Sequence, residues 1–117
     1  MYNSKEIISN LETLLNINSP SGYTKDAINY VLGYAQDLDY ETELTEKGNL
    51  VVSIKGEKDT TRALSAHVDT LGAMVKEIKD NGRLRLDMIG GFAWNSVEGE
   101  YCQIETSSGK VYSGTIL

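Results

Sequence analysis

Residues 63–69 read Ala63-Leu64-Ser65-Ala66-His67-Val68-Asp69, a run of small and apolar side chains that ends in the chain's one histidine and an aspartate two places on. Ala63–Val68 predicts a short buried strand, because such a run bounded by polar loop suits a sheet covered on both faces. Side chains two apart on a strand share a face, so the His67 imidazole and the Asp69 carboxylate project to one side. At that spacing the carboxylate can accept the hydrogen bond of one ring nitrogen, which fixes the tautomer and leaves the other nitrogen to coordinate a metal. The pair also sits at the carboxyl end of the strand, where the crevices of α/β sheets open. Taken alone it is equally the pattern of a structurally hydrogen-bonded histidine. A catalytic zinc takes about three protein ligands, and no second histidine is present to supply one.

On the amino-terminal side, Ile7, Ile8, Leu11, Leu14 and Leu15 fall on one helical face, which predicts a first helix over Asn3–Asn16. Asn3 followed by Glu6 has the spacing of a capping box. Ser19-Pro20-Ser21-Gly22 breaks the pattern and predicts a tight connection. Ala27, Ile28, Val31, Leu32, Ala35 and Leu38 form a second helical stripe, weakened at Gly33. After Asp39 the period shortens. Tyr40–Thr45 and Leu50–Lys55 predict a hairpin around Lys47-Gly48-Asn49, where glycine and asparagine suit positive backbone angles.

On the carboxyl side the helical signal is gone. Ala73–Lys79 and Arg83–Met88 flank Asp80-Asn81-Gly82 as a second hairpin, and Glu100–Thr106 and Lys110–Ile116 flank Ser107-Ser108-Gly109 as a third. The chain therefore divides near Asp69–Gly72 into an α/β half, residues 1–70, and an all-β half, residues 71–117. The last strand pattern runs up to Leu117, as a chain cut within a longer sequence does.

Seventeen Asp and Glu against eleven Lys and Arg give 117 residues a net charge of −6, which excludes a generic basic nucleic-acid binder. Hydrophobic residues at 40% exclude an acidic disordered tail. Cys102, the only cysteine, has no disulfide partner in the chain and no basic neighbour to activate it, so it reads as a packed side chain. A polar amino terminus and the absence of a long apolar run leave no membrane span, so a cytoplasmic protein is expected. Phe92 and Trp94 beside Gly90-Gly91 suit a subunit interface better than a sugar platform. The charges from Lys76 to Arg85 read as a solvated hairpin face.

Four segments in order carry a resemblance: Asn18-Ser19-Pro20-Ser21-Gly22-Tyr23, Lys47-Gly48-Asn49-Leu50, Leu64-Ser65-Ala66-His67-Val68-Asp69-Thr70-Leu71-Gly72-Ala73-Met74-Val75, and Ile89-Gly90-Gly91. The sequence resembles the glutamyl and deblocking aminopeptidases, dinuclear metallopeptidases sometimes labelled endoglucanases. The resemblance implies an α/β fold that begins a zinc-aminopeptidase-like catalytic domain (two helices, a hairpin and a buried strand). Part of an inserted, dimerisation-type all-β domain then follows. It implies two divalent metal ions, zinc or cobalt, with His67 as a metal ligand and Asp69 as the catalytic residue that orients the ring. Thr70 stands where many family members carry a glutamate, and Thr24 where an acid often follows the Ser-Gly-Tyr turn, so neither inherits a site role. The remaining ligands and the general-base glutamate come later in the family than residue 117. The expected activity is hydrolysis of amino-terminal residues from peptides by a homo-oligomeric parent, the fragment itself being inactive, with neither nucleic acid nor membrane as partner.

Two other readings remain at this level. A self-contained β-rich interaction module with a structural His67 is compatible with the length. An endoglucanase-like glycosidase needs two carboxylates about 5 to 10 Å apart and usually an aromatic platform, and a single Trp gives it no specific support.

Overall fold

A computed structural model describes residues 3–117 in the order α1 (Ser4–Asn16), α2 (Lys25–Asp37), β1 (Glu41–Leu44), β2 (Leu50–Ser53), β3 (Gly72–Ile78), β4 (Leu84–Ile89), β5 (Tyr101–Glu105) and β6 (Val111–Thr115). Met1 and Tyr2, part of the polar amino terminus, lie outside the described residues. The fold is mixed α/β, two helices followed by three separate two-stranded antiparallel sheets: β1–β2, β3–β4 and β5–β6.

Asn3 caps α1 by accepting from the Lys5 amide at 3.2 Å. The capping box is only half formed, because the Glu6 carboxylate accepts instead from the Tyr34 hydroxyl of α2 at 2.7 Å. Tyr30, one turn before Tyr34, donates to Asn10, one turn after Glu6, at 2.8 Å. The paired i, i+4 spacings run in opposite senses, so two phenols tie α1 and α2 antiparallel. α2 continues unbroken through Gly33. It ends in a Schellman arrangement, in which the Asp39 amide bonds the Gln36 carbonyl and the Tyr40 amide the Ala35 carbonyl at 2.9 and 3.1 Å. Asp39 takes the left-handed position usually given to glycine, at φ 58°, and so turns the chain into β1.

The three hairpins share one turn. Thr45 to Asn49, Lys79 to Arg83 and Thr106 to Lys110 are each closed by a bond between the end residues and a second from the glycine amide back to the first carbonyl, at 2.8–2.9 Å. Each carries glycine fourth, at φ 78–80°. This is the three-residue hairpin loop with a left-handed glycine. Only Gly48 of the Gly48-Asn49 pair has positive φ, so the expectation of positive angles at both residues is corrected. In β3–β4 the register shifts between Val75 and Glu77, leaving Lys76 as a bulge.

The expected buried strand at Ala63–Val68 does not form. Residues 61–69 carry no regular structure, and Leu64 is fully exposed. A doubly covered strand needs a hydrogen-bonded neighbour and a layer on each face, and no described strand is hydrogen-bonded in a sheet with this segment. Only at Thr70 does it pair, through a parallel bridge to Pro20. Burial is correspondingly slight. Ala27 and Ala35 of α2 are the buried hydrophobic residues among those described, and Ile7, Ile8, Leu11 and Leu15 of α1 are all more than half exposed. The radius of gyration is 18.2 Å, against about 13 Å for a close-packed domain of this length.

Candidate metal-ligand site

The site is made by two segments that are 48 residues apart. The first is the connection between the helices, where the Tyr23 amide bonds the Pro20 carbonyl at 2.8 Å and Gly22, at φ 90°, supplies the positive angle of a type II turn. The second is His67–Thr70. The Thr70 amide donates to the Ser19 carbonyl at 2.7 Å, which completes the bridge to Pro20 and sets Asp69 beside Ser21. Gly72 lets the two chains approach, since a Cβ there would lie 2.6 Å from the Pro20 Cβ.

His67 and Asp69 face one another, as the two-residue spacing predicts, although the backbone between them is not a strand. Nδ1 of His67 lies 2.7 Å from Oδ1 of Asp69 and 3.0 Å from its carbonyl oxygen. A carbonyl and a carboxylate only accept. Nδ1 therefore carries a proton, and in the neutral form of the ring Nε2 is the lone-pair nitrogen. The His67 side chain is 81% exposed and that of Asp69 40%, so the ring stands in an open hollow bordered by Ser21, Asn49, Val51 and Ala66.

The Ser21 hydroxyl donates to Oδ2 of Asp69. Both carboxylate oxygens are thus engaged, and these bonds hold the Asp69 carboxyl below its ordinary range, the Ser21 bond first and the His67 bond second. Sequence reasoning placed Ser21 in a turn and gave it no chemistry, because no periodicity links positions 21 and 69. The turn is further anchored to β5, where Asn18 donates to Gln103 and the Tyr23 hydroxyl to Glu105, both at 2.6 Å. Glu105 also raises the Tyr23 phenol above its usual 10.0, chiefly through that bond.

The donor set suits one share of a divalent-metal site: an imidazole whose second nitrogen is held by a carboxylate is the common arrangement of a ligating histidine. Among the described residues no group of three or more His, Cys, Asp and Glu converges.

The remaining site expectations are met unevenly. Thr70 serves the bridge through its backbone. Phe92 and Trp94 stack edge to face, with centroids 5.2 Å apart. Cys102 is a half-buried free thiol on β5. Lys76 and Arg85 pair with Asp87 and Glu77 in solvent-exposed contacts on β3–β4.

Comparison with known proteins identifies the family. The profile of the M42 glutamyl aminopeptidases matches residues 48–117, from the β1–β2 turn through the site to the last strand. The chain belongs to the M42 family. It is 51% identical over its whole length to a Bacillus subtilis (strain 168) protein named "Putative aminopeptidase YhfE". Over 90% of its length it is 29% identical to "Glutamyl aminopeptidase" of Lactococcus lactis subsp. cremoris (strain MG1363). It spans 34% and 30% of those two relatives, about a third of each. The M42 membership thus bears out the family resemblance carried by the four sequence segments.

Proposed function

We propose that these residues belong to a cytoplasmic, metal-dependent aminopeptidase that removes amino-terminal residues from peptides, with His67 as one ligand of a two-ion zinc or cobalt centre and Asp69 as the group that orients it. The observation that carries this reading is the state of the imidazole. Its Nδ1 faces two acceptors of Asp69, so Nε2 offers its lone pair from a ring open to solvent. The names of the relatives, both aminopeptidases, support the activity. No described helix is long and apolar enough to cross a membrane.

In this reading residues 1–70 belong to the catalytic α/β domain and 71–117 to a β-rich domain inserted in it and used for subunit contacts. The remaining ligands and the general base belong to the two-thirds of the relatives' length that the chain does not span. The exposed stripe of α1 and the unpaired segment 61–69 support this in preference to a self-contained module, because such apolar surface is made to be covered. When bound, the divalent ions supply Lewis acidity toward a peptide carbonyl and toward a water molecule. The part of this chain is narrower. Asp69 keeps the proton on Nδ1, Nε2 stays available as a donor, and the open hollow admits the substrate. Alone, the 117 residues are inactive.

The test is hydrolysis of amino-acid anilides by the full-length protein before and after chelation. Activity is expected to vanish on metal removal and return with zinc or cobalt. Activity that survives thorough chelation overturns the reading.

A further inference from the structure

We propose that Ser21 is a positioning residue for the His67 imidazole. By donating to Oδ2 of Asp69, its hydroxyl keeps the carboxylate turned so that Oδ1 meets Nδ1, and so strengthens the hold on that nitrogen that the Asp69 carbonyl shares. The functional meaning of this rests on the reading of His67 as a metal ligand; the geometry does not.

The argument begins with exposure. The Asp69 side chain is 40% exposed, so nothing in its packing decides the rotation of the carboxylate, and water competes for both oxygens. Terminal sp³–sp² torsions are broad. A carboxylate held at one oxygen still swings about that contact, whereas one held at both is fixed in plane. Ser21 provides the second hold. Its own placement does not depend on Asp69. The backbone bond from Thr70 to Ser19, the turn bond from Tyr23 to Pro20, and the side-chain bonds from Asn18 and Tyr23 to β5 fix the loop on both sides of it. A hydroxyl carried by a loop tied at four other points is a rigid reference for an otherwise loose carboxylate. The order of action is therefore loop, Ser21, Asp69, His67. Ser21 does not touch the ring, so its contribution is to orientation and not to ligation.

The test reads the ring directly. In the full-length protein, stripped of metal and in mildly alkaline buffer, the two His67 ring ¹⁵N resonances are assigned by their loss in His67→Gln. In the unsubstituted chain, and in Ser21→Thr, which retains the hydroxyl, the shifts are expected to report a proton held on Nδ1. In Ser21→Ala they are expected to move to the averaged values of a mixed tautomer, with the amide resonances of β3–β4 unchanged. Ser21→Cys, close in size but a weak donor, is expected to follow alanine and serves if the alanine variant does not fold. A Ser21→Ala or Ser21→Cys ring spectrum identical to that of the parent overturns the proposal, as does a Ser21→Thr spectrum that matches alanine.

In the full-length protein, zinc affinity is expected to fall about tenfold or more in Ser21→Ala and to recover in Ser21→Thr. Equal zinc affinity in all three overturns the role toward the metal. If the ring shifts respond as expected but the full-length protein neither binds zinc nor hydrolyses peptides, the peptidase reading fails and the positioning role stands. If hydrolysis is metal-dependent and the ring ignores Ser21, the positioning role fails alone.

Discussion

The β3–β4 hairpin and the segment 61–69 that leads into it are both rich in small and apolar residues, yet one is fully paired and the other has no regular structure. The hairpin finds its hydrogen-bond partners within eighteen residues and closes on a glycine turn that needs nothing else. The segment carries apolar residues too, but its partners are not among its sequence neighbours. Its order begins only at Asp69 and Thr70, where the inter-helix turn reaches it. Pairing that is local in sequence is thus separable from pairing that depends on distant chain, and the candidate site lies at the boundary between them.

The largest expected effect removes the boundary contact itself. Asp69→Ala in the full-length protein is expected to lower metal affinity or peptidase activity about 10–100-fold, measured by zinc titration and anilide hydrolysis. An unchanged enzyme would mean that the ring is oriented by something other than the contact described. Next is the close approach that permits the bridge. Gly72→Ala drives a methyl into Pro20 and is expected to lower the opening free energy of the Thr70 amide by about 1–3 kcal/mol. Hydrogen exchange at Thr70, compared with the β3–β4 amides, distinguishes local loosening from general unfolding.

A third effect is set by pH. The Tyr23 phenol is raised above 10.0 by its bond to Glu105, so the folded state holds that proton more tightly than the unfolded chain does. The contact contributes fully below the unfolded value and is lost as pH rises through the raised one. A phenol absorbance titration is expected to place Tyr23 above an unperturbed tyrosine, and Glu105→Gln is expected to bring it back down. The smallest effect belongs to the unpaired segment. Leu64→Ser in this chain is expected to change stability by less than about 0.5 kcal/mol, since Leu64 touches solvent on all sides. Denaturation of the two chains side by side measures it, and a larger loss would show that the segment is packed after all.

What sequence reading reached follows the same division. The helical stripes, the three hairpins and the facing of His67 and Asp69 depend on residues a few positions apart, and all are legible from spacing. The Asn3–Glu6 capping box is a local pattern that nevertheless half failed, because Tyr34 from the next helix took the Glu6 carboxylate. The buried strand at Ala63–Val68 was inferred from composition, but composition states what a segment would do when covered and not whether a cover is at hand. Ser21 was out of reach for a related reason. Its partner is 48 residues away, and only the paired backbones of Pro20 and Thr70 bring them together.

The three ribbons differ in how well they guard their outer edges. Each two-stranded sheet leaves a row of amides and carbonyls open on either side, able to template the addition of a further strand from another molecule. In β3 the extra residue at Lys76 breaks the regular repeat and places a cation there, which makes this ribbon a poor seed for intermolecular stacking. β1–β2 and β5–β6 run in unbroken register, so self-association in concentrated solution should start at those two.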